Sequence, residues 1–372
     1  MDTTIPIPPS PKDFEITRPL AIPKPNSKRT IPAPSRDPFT AHFGHAFPVP
    51  HMLTSDLGTT AVYSLPPAAS SRGGGGGGGA GGHSSSSSPS ATTRRVLLIH
   101  GLNTPALGML SLARAIQNLD AAGDTHVVLF DLWGHGLSST PLLAHTPHVF
   151  HLQILQVLSF MKWPSAELVG YSFGACVVVS FAQHHPWTVR SAVLLAPAGL
   201  LDQTTFSRRM RELLNNDSSS TTGREEEEQE AAECVLEFLE GGTLQVPVDW
   251  KERSRRGEVV AEALKDWELR EHQGYRQSVL SMFRDGAAYG CEKLFENFAQ
   301  CPSFQKLAVV AELDPVCNKE KLAGLGIENV EVVEKQGHAF VRTASDQVAS
   351  IIHRFWSRLE QQEVRAGELR TT

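Results

Sequence analysis

Short apolar runs that alternate with helix-like stretches are the feature of this sequence that most constrains its fold. Patterns with helical spacing cover residues 109–119, 146–161, 173–184 and 346–359. Continuous apolar runs are typical of strands buried on both faces, and their alternation with helices predicts a mostly parallel sheet covered on both sides. The apolar runs are Val96–Ile99, Val127–Phe130, Leu168–Val169, Ala192–Leu195, Leu307–Val310 and Val330–Val333.

A hairpin is predicted before the first of these runs. The segments 51–54 and 60–63 are short and contain apolar residues, and Asp56-Leu57-Gly58 between them turns the chain back. Two such runs joined by a short glycine-containing turn are typical of paired antiparallel strands.

Several segments depart from this rhythm. Residues 1–45 are rich in proline, and we expect a disordered tail there. The glycine and serine tract within 67–94 follows no strand, opens no helix and lacks the G-K-[ST] of a phosphate-binding loop, so it is interpreted as a flexible surface insertion. The core is expected to comprise 46–200 and 302–362, and residues 363–372 to form a second tail.

The longest interruption of the sheet pattern covers residues 201–301. Its acidic and serine-rich part, 215–230, is expected to be mobile. The rest carries large apolar side chains with helical spacing, and we predict a helical cap over one end of the sheet.

Composition excludes several classes of protein. A net charge of −6 gives no electrostatic reason to expect nucleic acid as a partner. We find neither a signal-peptide pattern nor a run of about 20 apolar residues that could span a membrane. Five cysteines without a C-x-x-C pair indicate neither a disulfide framework nor a zinc site. We therefore expect a cytoplasmic protein without metal or cofactor that acts on a small molecule, and its oligomeric state stays open.

The run Gly170-Tyr171-Ser172-Phe173-Gly174 has the form G-x-S-x-G and lies where an apolar strand passes into a helix. A sharp turn at this position lifts the apex serine clear of the sheet, where its hydroxyl can attack a substrate. Glycines two residues before and after the serine let strand and helix approach closely. Ser172 is therefore the candidate nucleophile.

A serine nucleophile needs a base and an acid that orients the base. His338 lies in the loop after the last strand and is the candidate base. Asp314, after strand 307–311, is the leading candidate acid, with Glu312 and Asp202 as competitors. The chain order of serine, aspartate and histidine is the order expected for a nucleophile on such a strand-to-helix turn.

Donors for an oxyanion are also predicted. The first long strand runs into His100-Gly101-Leu102, and we expect the amides of Leu102 and Phe173 to form the oxyanion hole. His100 is interpreted as a structural hydrogen-bonding residue under this loop. The segment 131–138, Asp-Leu-Trp-Gly-His-Gly-Leu-Ser, is interpreted as architecture beside the site.

Two further features are interpreted as structural. His145, His148 and His151 are spaced three apart, and we expect surface residues rather than metal ligands. Cys176, four residues after the candidate nucleophile, is expected to be a small packed residue.

Taken together, His100-Gly101, the segment 131–138, the run 170–174, Asp314 and Gly337-His338-Ala339-Phe340 resemble the α/β-hydrolase superfamily, in its cap-bearing branch of esterases and lipases. The resemblance covers roughly residues 50–66, 94–200 and 302–360. It implies an α/β fold with an eight-stranded, mostly parallel sheet and the site assignments above. The glycine and serine tract and the Glu-Leu-Asp-Pro acid loop depart from the family pattern.

The function expected from these residues is hydrolysis of a carboxylic ester or related acyl bond of a small to medium hydrophobic substrate, through an acyl-serine intermediate. One alternative is a ligand-binding protein that keeps the fold without turnover. Another is a lyase or carbon–carbon bond hydrolase that uses the same three side chains.

Overall fold

The computed structural model describes residues 29–68, 93–215 and 224–371. Loops and a few single 3-10 turns connect the strands and helices of these residues. The strands are β1 (Thr30–Ile31), β2 (His51–Ser55), β3 (Gly58–Leu65), β4 (Arg95–Ile99), β5 (His126–Phe130), β6 (Thr140–Pro141), β7 (Ala166–Tyr171), β8 (Val189–Leu195), β9 (Gln305–Ala311) and β10 (Val330–Val333). The α-helices are α1 (Arg36–Phe43), α2 (Leu110–Leu119), α3 (Pro147–Phe160), α4 (Phe173–His184), α5 (Arg208–Asn215), α6 (Arg224–Glu240), α7 (Trp250–Arg255), α8 (Ala261–Glu271), α9 (Tyr275–Asp285), α10 (Glu292–Gln300), α11 (Lys319–Gly324), α12 (Phe340–Thr343) and α13 (Ser345–Thr371).

Eight strands form one sheet in the order β2-β3-β5-β4-β7-β8-β9-β10. The pairings of β2 with β3 and of β3 with β5 are antiparallel, and the remaining five are parallel. The predicted α/β class, the hairpin and each predicted strand are therefore confirmed. Because β4, β5 and β7 to β10 run parallel, the loops after their carboxyl ends meet along one edge of the sheet.

Alternate residues of each central strand enter two separate apolar cores. In β4, Leu97 and Ile99 face the core that contains Phe150 of α3 and Phe181 of α4. Val96 and Leu98 belong instead to the core on the opposite face, which includes α2 and α13. This burial on both faces explains why the strand reads as a continuous apolar run.

The structure differs from the expected disordered tail over residues 30–45. β1 pairs with β6, and α1 buries Phe39 and Phe43. The Phe39 ring lies 5.0 Å from that of Trp267, edge to face, and both rings are buried. Two phenylalanines four residues apart form one apolar helix face, and burial of that face outweighs the proline-rich composition. Residues 1–28 lie outside the described part.

The acidic segment also departs from its expectation of mobility. Residues 224–230 open α6, in which Ala231 and Val235 are buried. Glu228 accepts from Arg284 at 2.7 Å, and Glu230 accepts from Arg209 at 2.7 Å. Arginines from other helices thus neutralise part of the glutamate run. Residues 216–223, and 69–92 in the glycine and serine tract, fall outside the described residues.

The carboxyl-terminal tail expected at 363–372 is wrong through residue 371, because α13 continues to Thr371. Residues after 359 include glutamate, glutamine, arginine and alanine, which favour continuation of a helix. Between β8 and β9, the described residues of 201–301 contain the helices α5 to α10.

Candidate active site

Ser172 lies at the apex between β7 and α4, with φ 53° and ψ −117°. This is a costly conformation for a residue with a Cβ, and it persists only where the surroundings enforce it. A Cβ on Gly170 would lie 2.4 Å from the Gly174 carbonyl oxygen, and one on Gly174 would lie 2.2 Å from the Ile99 carbonyl oxygen. Both glycines are therefore required by the close approach of β7, α4 and β4.

The structure brings together the three side chains singled out from the sequence. His338 Nε2 lies 3.0 Å from Ser172 Oγ, and His338 Nδ1 lies 2.9 Å from Asp314 Oδ2. The Asp314 side chain is fully buried, whereas the His338 side chain is 31 % exposed. A histidine that contacts a hydroxyl on one side and a carboxylate on the other can accept the serine proton. Their catalytic roles stay a prediction.

The contacts of Asp314 define which imidazole nitrogen carries a proton. A carboxylate only accepts, so the bond to Asp314 places the hydrogen on Nδ1 of His338 and leaves Nε2 to accept from Ser172. The second carboxylate oxygen, Oδ1, accepts from the Val316 amide at 2.9 Å. Both oxygens of Asp314 are therefore engaged, which holds the carboxylate in one orientation.

The two competing acids lie in other contacts. Glu312 Oε2 accepts from the Lys335 amide at 2.7 Å, and this side chain is exposed. Asp202 accepts from the Thr204 amide at 2.8 Å and caps a single 3-10 turn. Only Asp314, among the three candidates, contacts His338.

Tyr171 is a site residue that the sequence reasoning did not assign. Its hydroxyl donates to the His338 carbonyl oxygen at 3.0 Å, and the two rings lie 5.3 Å apart. Burial raises the pKa of Tyr171, so the phenol remains a donor. Tyr171 therefore positions the loop that carries His338. Its place directly before the serine is the one sequence signal that pointed to it.

The predicted oxyanion loop lies directly against the serine. A Cβ on Gly101 would lie 3.1 Å from Ser172 Cβ. His100 Nδ1 donates to the Gly101 carbonyl at 2.7 Å, while His100 Nε2 accepts from the Leu132 amide at 2.8 Å. Burial lowers the pKa of His100 well below its usual range, which keeps the ring neutral in this tautomer.

These bonds bear on the donors expected for an oxyanion. In a trans peptide the C=O and the following N–H point in opposite directions, so holding the Gly101 carbonyl also directs the Leu102 amide. Phe173 is the first residue of α4, and its amide is one of those that no intrahelical bond can satisfy. The interpretation of His100 as a structural residue fits its two bonds, and the roles of Leu102 and Phe173 stay a prediction.

The segment 131–138 is buried beside this loop. Asp131 accepts from the Ala106 amide, the Leu137 amide and the Tyr63 hydroxyl, each at 2.9 Å. Burial raises the pKa of Asp131 to about 6. Its contacts are with backbone amides and one neighbouring phenol, as expected for architecture.

Two of the three spaced histidines differ from the expectation of surface residues, whereas His148 is exposed as expected. His145 and His151 are buried, and burial lowers the pKa of His145 to about 4 and that of His151 to about 2. They pack against aromatic rings, His145 on Phe150 and His151 on Phe181, because neutral imidazole is compatible with an apolar core. Over residues 29–68, 93–215 and 224–371, no three histidine, cysteine or acidic side chains are arranged to hold a metal ion. Cys176 is buried, as predicted.

None of the helices in the described ranges is both long enough and apolar enough to cross a lipid bilayer.

Comparison with known proteins identifies similar sequences and structures. A family model described as alpha/beta hydrolase fold matches residues 94–279. A curated serine hydrolase-like protein of Mus musculus is 36 % identical over 87 residues, which are 23 % of this chain and 26 % of that relative. The match thus spans about a quarter of the relative's length.

Solved structures resemble the chain over most of its length. An enol-lactonase from Burkholderia xenovorans LB400 has a TM-score of 0.56 at 14 % identity and covers 82 % of this chain and 100 % of its own. A carboxylesterase structure from Nitrososphaera gargenis has a TM-score of 0.54 at 13 % identity, with 84 % and 100 % covered. A putative lipase from Acinetobacter baumannii AYE has a TM-score of 0.56 at 14 % identity, with 88 % and 97 % covered. At these identities the likeness concerns the fold.

Proposed function

Since the chain belongs to the α/β-hydrolase fold family, we propose that it is a serine hydrolase that cleaves a carboxylic ester or a related acyl bond. The observation that carries the proposal is the continuous hydrogen-bonded series from Asp314 through His338 to the strained Ser172. The lactonase, carboxylesterase and lipase names of the similar structures accord with this reaction class.

The proposed reaction begins when Ser172 Oγ attacks the acyl carbon and His338 Nε2 takes the hydroxyl proton. Asp314 stabilises the imidazolium that forms, and the amides of Leu102 and Phe173 hold the negative oxygen. His338 then gives its proton to the leaving group, which leaves an acyl-serine. A water molecule, deprotonated by His338, attacks this acyl group and regenerates Ser172.

The helical insertion packs close to the backbone around Ser172. The Ser172 carbonyl accepts from the Ala198 amide at 3.1 Å, and the next amide, of Gly199, donates to the Ala288 carbonyl at 2.9 Å. A Cβ on Gly286 would lie 2.9 Å from the Phe173 ring. The segment after α9 therefore packs small and apolar groups beside the nucleophile, and we infer that residues 201–301 act as the cap that shapes a pocket for a small to medium hydrophobic substrate.

A fluorophosphonate probe tests the nucleophile directly, because it reacts with an activated serine. We expect the wild type to be labelled at Ser172 and Ser172→Ala to remain unlabelled, as found by peptide mass spectrometry. Ser350→Ala is the matched control, since this serine bonds only within α13, and it should label like the wild type. Folded wild-type protein that takes up no probe would overturn the proposal.

Nitrophenyl esters of graded acyl length then test the substrate class. We expect turnover that rises with acyl length to an optimum and is lost in His338→Ala. Binding of such esters without turnover would instead favour a ligand-binding protein.

A further inference from the structure

The loop after β4 is tied to the helical insertion by the carboxylate of Glu240, the last residue of α6. Asn103 Nδ2 donates to Glu240 Oε1 at 2.8 Å. Lys265 Nζ, from α8, lies 2.8 Å from Oε1 and 3.0 Å from Oε2 of the same carboxylate. One acidic side chain of the insertion therefore joins a loop of the sheet domain to a second helix of the insertion.

This network is shielded from water. The Glu240 side chain is 17 % exposed and that of Lys265 is 11 % exposed. Exposed ion pairs hold geometry weakly, whereas hydrogen-bonded charges with little solvent access are stronger and more directional. By contrast, the Glu230 and Arg209 pair, which also begins on α6, is about half exposed on both sides. The Glu240 contact is thus suited to holding a loop in place.

The residue that Glu240 holds directly follows the predicted oxyanion donor. The peptide before Leu102 is oriented by His100, which donates to the Gly101 carbonyl. The residue after it, Asn103, is held by Glu240. The backbone of Leu102 is therefore constrained on both sides, once from the sheet domain and once from the insertion.

A second series of contacts reaches the same residue from α8. Glu268 Oε1 accepts from the Gly136 amide at 2.7 Å, and Glu268 is fully buried. The neighbouring His135 contacts the Leu102 carbonyl through Nε2. Burial lowers the pKa of His135 to about 4, so the neutral ring carries one proton, which it donates to that carbonyl. Helix α8 thus supports the loop both through Lys265 and through Glu268.

We propose that Glu240 is a positioning residue for the oxyanion hole, acting through Asn103 on the backbone of Leu102. The helical insertion then sets the geometry of the reacting loop as well as covering the serine. Small displacements of a donor weaken stabilisation of the transition state more than they weaken substrate binding. This inference rests on the proposed hydrolase function, and Glu240 itself does not contact the substrate.

Steady-state kinetics on a nitrophenyl ester test the inference. For Glu240→Ala we expect kcat to fall about tenfold while KM changes by less than about twofold, because only transition-state stabilisation is affected. Glu240→Gln keeps an acceptor for Asn103 and should recover most of kcat. Glu230→Ala is the matched control on the same helix, and it should leave kcat unchanged.

Substitution from the loop side makes the test independent of how well α6 folds. Asn103→Ala should give the same loss of kcat, and Glu240→Ala in that background should add no further loss, since both remove the hydrogen bond between Asn103 and Glu240. Additive losses, or a kcat of Glu240→Ala equal to that of the wild type, would overturn the inference. If fluorophosphonate labels wild-type Ser172, such results leave the hydrolase proposal standing. If the wild-type protein takes up no probe, both the hydrolase proposal and the inference about Glu240 are overturned.

Discussion

Two pairs of aspartate and histidine follow strands of the same sheet, and they differ in what their polar atoms contact. Asp314 and His338 form a series that ends on the Ser172 hydroxyl, with the imidazole 31 % exposed. Asp131 and His135 are completely buried, and their bonds go to backbone amides, one backbone carbonyl and one phenol. The same residue types therefore reach a serine hydroxyl in the first pair and support the backbone in the second.

The difference follows from solvent access. Buried polar groups must be hydrogen-bonded, and in the segment 131–138 they are used to satisfy the backbone of a tight loop. Burial there raises the pKa of Asp131 to about 6 and lowers that of His135 to about 4, which disfavours the charged form of both side chains. At the site, His338 Nε2 faces the Ser172 hydroxyl, and the imidazole is partly exposed to solvent. Substitution of Asp314 or His338 should thus change rates, and substitution of Asp131 should change stability.

The largest effect is expected for Asp314→Asn. The amide cannot hold His338 in the tautomer that accepts from Ser172, so kcat should fall by on the order of 10⁴-fold, while the thermal midpoint stays close to that of the wild type. Ester turnover and a thermal melt monitored by circular dichroism check both parts. Full activity in Asp314→Asn would end the distinction between the two pairs.

Gly174→Ala tests the backbone that presents the nucleophile. The added Cβ would lie 2.2 Å from the Ile99 carbonyl oxygen and 2.5 Å from that of His100, so the free energy of unfolding should fall by about 3 kcal/mol. Gly324→Ala is the control, because a Cβ there has no neighbour within 4 Å. Urea unfolding of both variants measures the effect. Equal stability of Gly174→Ala and Gly324→Ala would show that the turn can accommodate a Cβ.

Asp131→Asn tests the role of the buried pair. The side chain of asparagine has one oxygen that accepts and one nitrogen that only donates, so it cannot replace both carboxylate oxygens of Asp131. Its buried NH2 group is then left facing another hydrogen-bond donor. The free energy of unfolding should fall by about 2 kcal/mol, while kcat per folded molecule is unchanged. A combined urea titration and active-site titration separates the two quantities. A loss of kcat in fully folded Asp131→Asn would place this loop in the reaction.

A smaller effect is expected from pH. His145 is buried and neutral, with its pKa lowered to about 4, whereas the pKa of a histidine in an unfolded chain is about 6.5. The unfolded chain therefore binds more protons than the folded chain at pH values between about 4 and about 6.5. The contribution of neutral His145 to the free energy of unfolding is complete above about pH 6.5 and is lost as the pH falls toward 4. Between pH 7.5 and 5.5 it should remove about 1 kcal/mol of stability.

His145→Asn should therefore show a shallower loss of stability than the wild type over this range, as measured by urea midpoints at the two pH values. Asp131 has the opposite sign, because its raised pKa makes its contribution fall as the pH rises from about 4 to about 6. An identical pH dependence in wild type and His145→Asn would show that this buried histidine does not titrate on unfolding.

Local patterns predicted much of the fold and the position of the candidate nucleophile. The predicted helix 173–184 matches α4 residue for residue, because the glycine-rich turn and the apolar helix that follows it are both short-range features. Helix α1 was not predicted, since the burial of Phe39 and Phe43 includes contact with Trp267, a residue more than 200 positions away. Tyr171 was not predicted as a site residue for the same reason, because its bond to the His338 carbonyl joins residues 167 positions apart.

The sequence by itself determined the order of strands and helices and the turn at Ser172, because these depend on periodicity and on glycines within a few residues. The tertiary structure alone decided which of Asp314, Glu312 and Asp202 contacts His338, since all three follow strands and only one has its side chain directed at the imidazole. It also decided that Glu240 reaches Asn103, a contact between residues 137 positions apart. Contacts at that separation depend on how the helical insertion packs on the sheet, which no local pattern records.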